Sequence, residues 1–369
     1  MRFNTGIMDV HVHAHGGCTV DGFLRNAASH LSASGLDAEN LLCVKHGRSA
    51  CVTEPNALLA KALYPGRFNV LGNPTFGIPE FGTDKEGLAA QVQDMIDAGI
   101  DGVKMADVNG EGRPLDHPDF DPIFHTLEKN SAPMIYHVGG FALSPRRQAF
   151  VKNHFQVENP PFLTYQGSAD DDREESFNQS IQDANAVKFG QMENVLERHP
   201  NLRLILPHTY FHADNLDGLA AFLKRHPNVC VDLTPCDQIY YYLSQDPKKS
   251  RDFICEYSRR ILFGTDNTIE LDPLTVIILI RSFLETDEKF FSAGWGFDIQ
   301  GIGLPKEVLQ DLYKNNYERL FSREKVNTKR AAEYCDKVYD IIRKLDEMPQ
   351  ENKLEAAECA KRLRGMKQG

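Results

Sequence analysis

Several things are missing from this chain of 369 residues. Its eight cysteines contain no CxxC pair and no regular spacing, which excludes a disulfide framework. Free thiols in a reducing, cytosolic setting account for them, each read as a small buried apolar residue. A basic excess is missing too: 41 Lys+Arg stand against 52 Asp+Glu, a formal net charge of −11. Nucleic acid and anionic membranes need a basic surface, so neither is expected as the main partner. The strongest apolar run, "LTVIILI" at 274–280, is far short of the roughly 20 residues that cross a bilayer. The start shows no charged-then-apolar pattern of a signal peptide. No GxGxxG follows an early strand, which argues against an open doubly wound sheet that holds a dinucleotide. Tryptophan occurs once, at Trp295.

What the chain does have is alternation. Short apolar runs at 6–10, 41–44, 69–76, 102–105, 133–138, 202–208, 229–235 and 260–267 read as strands. Helical stretches lie between them; the one after the third strand stops at Gly99, and another covers 119–130. The runs are continuously apolar, the mark of parallel strands buried on both faces. Eight strand–helix units predict a (β/α)8 TIM barrel over 1–321. Two regions fall outside the repeat. Residues 141–179 form a long polar insertion after strand five, with the acidic run "DDDREE" at 170–175. After Phe321 a helical extension, 322–369, carries an apolar stripe of Tyr334, Val338, Ile341, Ile342 and Leu345, with a last helix at 352–364. This tail is expected to pack on the barrel or on a second subunit.

The chemistry starts from "MDVHVHAHGG" at 8–17. An HxH pair arises by chance roughly once in two chains of this histidine content, so the pair alone says little. Its place says more. In a parallel barrel the functional groups stand at the C-terminal strand ends. His11 and His13 follow strand one, and alternation turns both toward the barrel mouth. Strand five ends in His137, strand six in His208, strand eight in Asp266, and strand four near Lys104. Buried polar groups need partners, and imidazoles converging with a carboxylate suit zinc, manganese or ferrous iron. His15 lies past the strand, where Gly16 and Gly17 turn the chain. Asp9 is expected to brace the strand end or a histidine.

These motifs resemble a known group. "DVHVH", "IYHVG", "PNLRLILPH", "HPNVCVDLTP" and "ILFGTDN", in that order, are similar to the amidohydrolase superfamily, and within it to the family typified by aminocarboxymuconate semialdehyde decarboxylase. The stretch 301–321 is similar to that family's closing helix, so the resemblance spans about 6–321. It implies a metal-dependent barrel enzyme, mostly cytosolic and often dimeric. His11, His13, His137 and Asp266 would be metal ligands, and His208 the acid/base beside the metal-bound water. In binuclear relatives a strand-four lysine bridges two metals; here Lys104 is expected as a structural or substrate-contacting lysine, or as such a bridge.

A divalent ion, most simply Zn2+, lowers the pKa of bound water to roughly 7. Asp266 can hold or deprotonate that water, and His208 can pass a proton. The expected reaction is hydrolysis of an amide, ester or lactone in a small carboxylate-bearing molecule. The alternative is non-oxidative decarboxylation of an unsaturated or aromatic acid at the same site. Lys45, His46, Arg48, Arg146 and Arg147 are candidates to bind a substrate carboxylate. Tyr210, Phe211 and Trp295 are candidates to line the pocket.

Overall fold

The computed structural model describes residues 6–15, 19–43, 53–106, 113–140, 171–322, 324–346 and 348–366. Their strands are β1 (Met8–Ala14), β2 (Ala38–Cys43), β3 (Phe68–Gly72), β4 (Gly102–Ala106), β5 (Met134–His137), β6 (Leu204–Leu206), β7 (Val229–Asp232) and β8 (Ile261–Leu262). Each pairs in parallel with its sequence neighbour. A further short strand, β9 (Asn267–Thr268), pairs with β1. Only residues 263–266 separate β8 from β9, so the two are halves of one barrel strand. One half pairs with strand seven and the other with strand one, which closes the ring. Backbone bonds from Val10 N to Phe263 O (3.1 Å) and from Asp266 N to His11 O (2.9 Å) cross the same seam. The expected TIM barrel is present.

The helices are α1 (Val20–Ser34), α2 (Thr53–Leu63), α3 (Lys85–Ala98), α4 (Asp121–Asn130), α5 (Asp171–Arg198), α6 (Leu216–Arg225), α7 (Asp237–Gln245), α8 (Pro247–Glu256) and α9 (Leu274–Glu285). Local chemistry sets their starts. Thr19 Oγ1 accepts from Gly22 N at the head of α1, and Asp84 Oδ1 from Gly87 N at the head of α3. A hairpin, β10 (Lys289–Ser292) and β11 (Phe297–Gln300), follows α9. Then α10 (Lys306–Gln310) and α11 (Asn316–Leu320), joined by a π turn, close the bottom of the barrel. Met8, Val10, Leu42, Leu71, Ile135, Ile205, Cys230 and Leu262 fill the interior and meet Tyr317, Leu320 and Phe321 of this plug. The Tyr317 hydroxyl accepts from Asn69 Nδ2 at 2.9 Å. The interior is therefore packed, and only the opposite mouth is left for chemistry.

Three boundaries differ from the sequence reading. Strand three stops at Gly72, because Pro74 has no N–H to give and Asn73 N and Thr75 N donate to Glu54 and Gln91 side chains instead. Strand seven stops at Asp232, whose side chain turns to local donors. Helix α5 begins at Asp171, inside the stretch expected as insertion through 179, so that insertion ends sooner. The rest of the insertion, 141–170, lies outside the described residues. Among the described residues, no helix is long and apolar enough to cross a membrane.

The tail forms α12 (Thr328–Ile342) and α13 (Gln350–Gly365). Both pack on the barrel. Ala331, Ala332, Cys335, Cys359, Ala360 and Leu363 share one apolar cluster with Leu58, Phe23 and Val12. Val338 and Ile342 are buried, while Tyr334, Ile341 and Leu345 are half-buried. Under this cover every residue of α2 from Thr53 to Ala62 is buried. Its polar groups are paired: Asn56 Nδ2 donates to Glu355 Oε2 (2.7 Å), and Lys61 Nζ to Asp101 (2.8 Å).

Burial between the tail and α2 pushes the Glu355 carboxyl up to about 7, against the Asn56 hydrogen bond and with help from Glu351. A raised carboxyl binds more protons folded than unfolded. Its contribution therefore falls as pH climbs from about 4.5 to 7. Glu355→Gln keeps the hydrogen bond and removes the penalty. We expect the variant to melt at least about 2 °C above wild type at pH 8 and level with it near pH 4.5, measured by thermal scans at both pH values.

Candidate active site

The mouth of the barrel gathers the strand ends. His11 and His13 come from β1, Lys104 from β4, His137 from the last position of β5, and His208 from just past β6. Asp232 ends β7, and Asp266 lies between β8 and β9. A β-bulge in β1 matters here. Asp9 pairs with Glu39 but Val12 with Leu41, so β1 has one residue extra. This lets Val10 enter the interior cluster while His11, its neighbour, also turns inward. Gly264 makes room on the other side of the seam. A Cβ there would stand 2.8 Å from Thr234 Oγ1 and 3.1 Å from His11 Cβ.

Three donor groups, from His11, His13 and Asp266, lie within 4.8 Å of one another. His13 Nε2 is 2.8 Å from Asp266 Oδ1, and His11 Nε2 is 3.2 Å from the same oxygen. The tautomer of His11 follows from its other nitrogen. Nδ1 faces Asp232 Oδ2 at 2.9 Å. Burial works against the Asp232 charge, but the His11 hydrogen bond and charge hold its carboxyl below the usual range. A carboxylate only accepts, so Nδ1 carries the hydrogen and Nε2 is left to face the group. A carboxylate that orients an imidazole in this way is the usual support behind a metal-binding histidine. Two imidazoles and a carboxylate are also a fitting donor set for a divalent ion.

Asp232 does more than hold His11. Its Oδ1 accepts from His208 N (2.9 Å) and Thr234 N (3.0 Å). Asp9 plays the matching part across the seam. It accepts from His11 N (2.8 Å), Thr265 N (3.2 Å) and Thr265 Oγ1 (2.6 Å), so it ties strand one to the residue before Asp266. This is the brace the sequence suggests for Asp9.

Burial governs the charges. It lowers His11 to about 4, aided by the Lys104 cation, and lowers His208 against the pull of Asp266. It also lowers His137 well below the ordinary value, with the neighbouring His208 charge adding to the effect. Lys104 is lowered to about 8 by burial, in spite of Asp266 and Asp232. Its Nζ is 3.2 Å from His11 Nε2. Asp266 goes the other way: burial favours protonation, but the His13 hydrogen bond and the His11 and His208 charges hold it far below the carboxylate range. A carboxylate that stays ionised beside His11 and His137, which burial keeps neutral, is the protonation pattern a cation needs in its ligands.

A sequence model of the amidohydrolase family matches residues 48–323. The chain belongs to that family. Solved structures of the same shape include an uncharacterized TIM-barrel protein from Bordetella bronchiseptica (16% identity, TM-score 0.51), over 86% of this chain and 98% of that one. A protein named amidohydrolase II is similar at 15% identity and TM-score 0.52, over 86% and 99%. The third is 5-carboxyvanillate decarboxylase from Novosphingobium aromaticivorans, complexed with manganese and 4-hydroxy-3-methoxy-5-nitrobenzoic acid. It is 15% identical with a TM-score of 0.50, over 86% and 96%. At these identities the likeness establishes the barrel fold. A search of curated proteins finds no match.

The other candidate residues of this amidohydrolase-family barrel fall in three places. His137 stands beside His208, ring centroids 5.0 Å apart, next to the three-donor group. His15 stacks on His13 at 6.1 Å. Tyr210, expected to line the pocket, instead packs outward against Phe189 and Phe222, because the turn it sits in carries it away from the mouth. Trp295, also expected there, packs on Tyr240 and Phe297 at the hairpin. Lys45, His46, Arg48, Arg146 and Arg147 lie outside the described residues. Sequence reasoning passed over Asp232 and Thr234. The signal was there in "VCVDLTP", where a carboxylate interrupts an apolar run at a strand end.

If Asp232 orients His11, removing its charge weakens metal uptake before it unfolds the barrel. We expect Asp232→Asn to bind Mn2+ about 10- to 100-fold more weakly than wild type in a chelator competition. Unchanged affinity would contradict the arrangement.

Proposed function

We propose that this chain is a metal-dependent lyase that removes CO2 from a small unsaturated or aromatic acid. The observation that carries the reading is the setting of His208. Its Nδ1 faces the Thr234 carbonyl at 3.2 Å and so carries the hydrogen, which turns Nε2 toward Asp266 Oδ2, 4.0 Å away. The rings of His137 and Phe211 flank it at 5.0 and 5.3 Å. One proton carrier, sealed from water beside a donor set and an aromatic wall, suits delivery of a single proton to carbon. The likeness to the manganese-bound 5-carboxyvanillate decarboxylase supports the same direction.

His11, His13 and Asp266 would hold the ion, with His137 as a fourth ligand from strand five. Zinc, manganese and ferrous iron all suit imidazole with carboxylate. Bound there, the ion supplies Lewis acidity toward substrate oxygen and a more acidic water. The chain's own groups do the rest. Lys104, a buried cation, balances the substrate's negative charge. His208 takes a proton at Nε2 and delivers it to the carbon that loses CO2. The electron pair of the broken C–C bond stays on that carbon and forms the new C–H bond. Asp266, held ionised, steadies the protonated imidazole before transfer.

Hydrolysis of an amide, ester or lactone is the second reading. The family's name favours it, and Asp266 beside His208 can equally deprotonate water. A panel separates the two: CO2 release from hydroxybenzoates and unsaturated diacids, against hydrolysis of lactones and esters. We expect CO2 equal to substrate consumed, abolished by a chelator and restored by Mn2+. Turnover of the esters or lactones alone would reverse the order of the readings. We also expect His208→Asn to lower kcat for CO2 release by at least about 100-fold with metal content unchanged, checked by elemental analysis.

A further inference from the structure

Residues 208–211, "HTYF", are wound the wrong way. His208, Thr209, Tyr210 and Phe211 have φ of 56°, 53°, 54° and 54°, four successive non-glycine residues in the left-handed region. The turn is tight: Tyr210 N donates to Pro207 O (2.9 Å) and His212 N to Thr209 O (3.2 Å). With three residues per turn, positions three apart emerge on one side. His208 and Phe211 therefore share a face, while Tyr210 turns outward into the helix layer.

Phe211 is wedged where that face meets strand five. Its ring lies 5.3 Å from the His208 ring, tilted 31°, and 5.7 Å from the His137 ring, tilted 47°. It also presses on the backbone after His137: a Cβ at Gly139 would stand 2.9 Å from Phe211 Cδ2. Gly139, at φ 114°, is thus a glycine for two reasons. The next residue cannot yield, since Gly140 N and O are both bound by the Asn185 side chain (2.8 and 3.2 Å). The ring fills the corner between strands five and six, in contact with the proton carrier and with the fourth candidate ligand.

We propose that Phe211 is a specificity-determining residue. Its ring is the apolar wall beside His208, and it selects acids whose carboxylate is attached to a planar, unsaturated skeleton. This rests on the lyase reading and adds the group that recognises the substrate's carbon frame. A planar π-system packs against an aromatic ring by offset or edge contact, worth a few-fold to about tenfold in affinity beyond its burial. A saturated ring of the same charge and nearly the same size gains only the burial.

Benzoate and cyclohexanecarboxylate make the test, titrated calorimetrically into the full-length chain loaded with Mn2+. Wild type is expected to bind benzoate about fivefold more tightly. Phe211→Met keeps the bulk of the wedge without its π face and is expected to bring that ratio close to one at unchanged Mn2+ content. Phe211→Tyr is expected to retain the preference, which rules out a loss caused by a disturbed fold. Equal binding of the two acids by wild type, binding of neither, or an undiminished preference in Phe211→Met overturns the proposal. CO2 release is scored separately. A chain that prefers benzoate through Phe211 yet releases no CO2 from any acid keeps this inference and loses the lyase reading.

Discussion

Asp232 has no exposed surface, and a charge in that position must be answered by donors within reach. It finds them in His11 Nδ1, His208 N and Thr234 N. Those bonds do more than neutralise it. They choose the His11 tautomer, set where His208 leaves strand six, and fix the start of the loop after strand seven. Three strands are thus referenced to one carboxylate at the floor of the mouth. Asp9 repeats the device across the closing seam with His11 N and Thr265. Nearly every distance in the site is measured from one of these two acids.

The backbone is forced at the same place. Each non-glycine residue in the left-handed region costs about 1–2 kcal/mol, so the four at 208–211 and the one at Asp266 represent a stored strain of several kcal/mol. They persist because their neighbours are over-determined, by the Asp232 bond below and the aromatic packing above. The glycines act in the opposite sense. Gly264 and Gly139 lie where another group needs the space, His11 and Thr234 in one case and Phe211 in the other. Strain and clearance are two ways to the same end, bringing side chains from four strands closer than regular barrel geometry allows.

Much of this was legible in the sequence. The eight apolar runs, the helix stop at Gly99 and the polar residues at the ends of strands one, five, six and eight follow from periodicity and position alone. The rest depends on geometry that periodicity does not encode. Alternation alone would turn Val10 and His11 to opposite faces, and only the β-bulge brings both inward. It would also leave Tyr210 as good a wall residue as Phe211. The left-handed turn decides between them, and nothing in His-Thr-Tyr-Phe announces it. Asp232 went unremarked because its role lies in its bonds to His11 and His208, which are remote from it in sequence. The split of strand eight was invisible for a related reason, since a continuous run such as "ILFGTDN" gives no sign of where its pairing changes partner.

The burial of α2 reaches further than packing. A helix of a TIM barrel has a wet face by rule; this one has none from Thr53 to Ala62. In cross-section the molecule is there three layers thick, strand, helix and tail, and the tail also reaches α3 and α1 through the Lys337–Asp94 and Arg362–Asp21 pairs. Helix α2 also follows directly on the 44–52 segment after strand two. A chain cut after the barrel's closing helix would expose Leu58 and its neighbours to water, together with a lone Asn56 deprived of Glu355. The tail is an outer wall to which α2 has committed its solvent side, so a polar substitution that an exposed barrel helix would tolerate buries an unpaired group there.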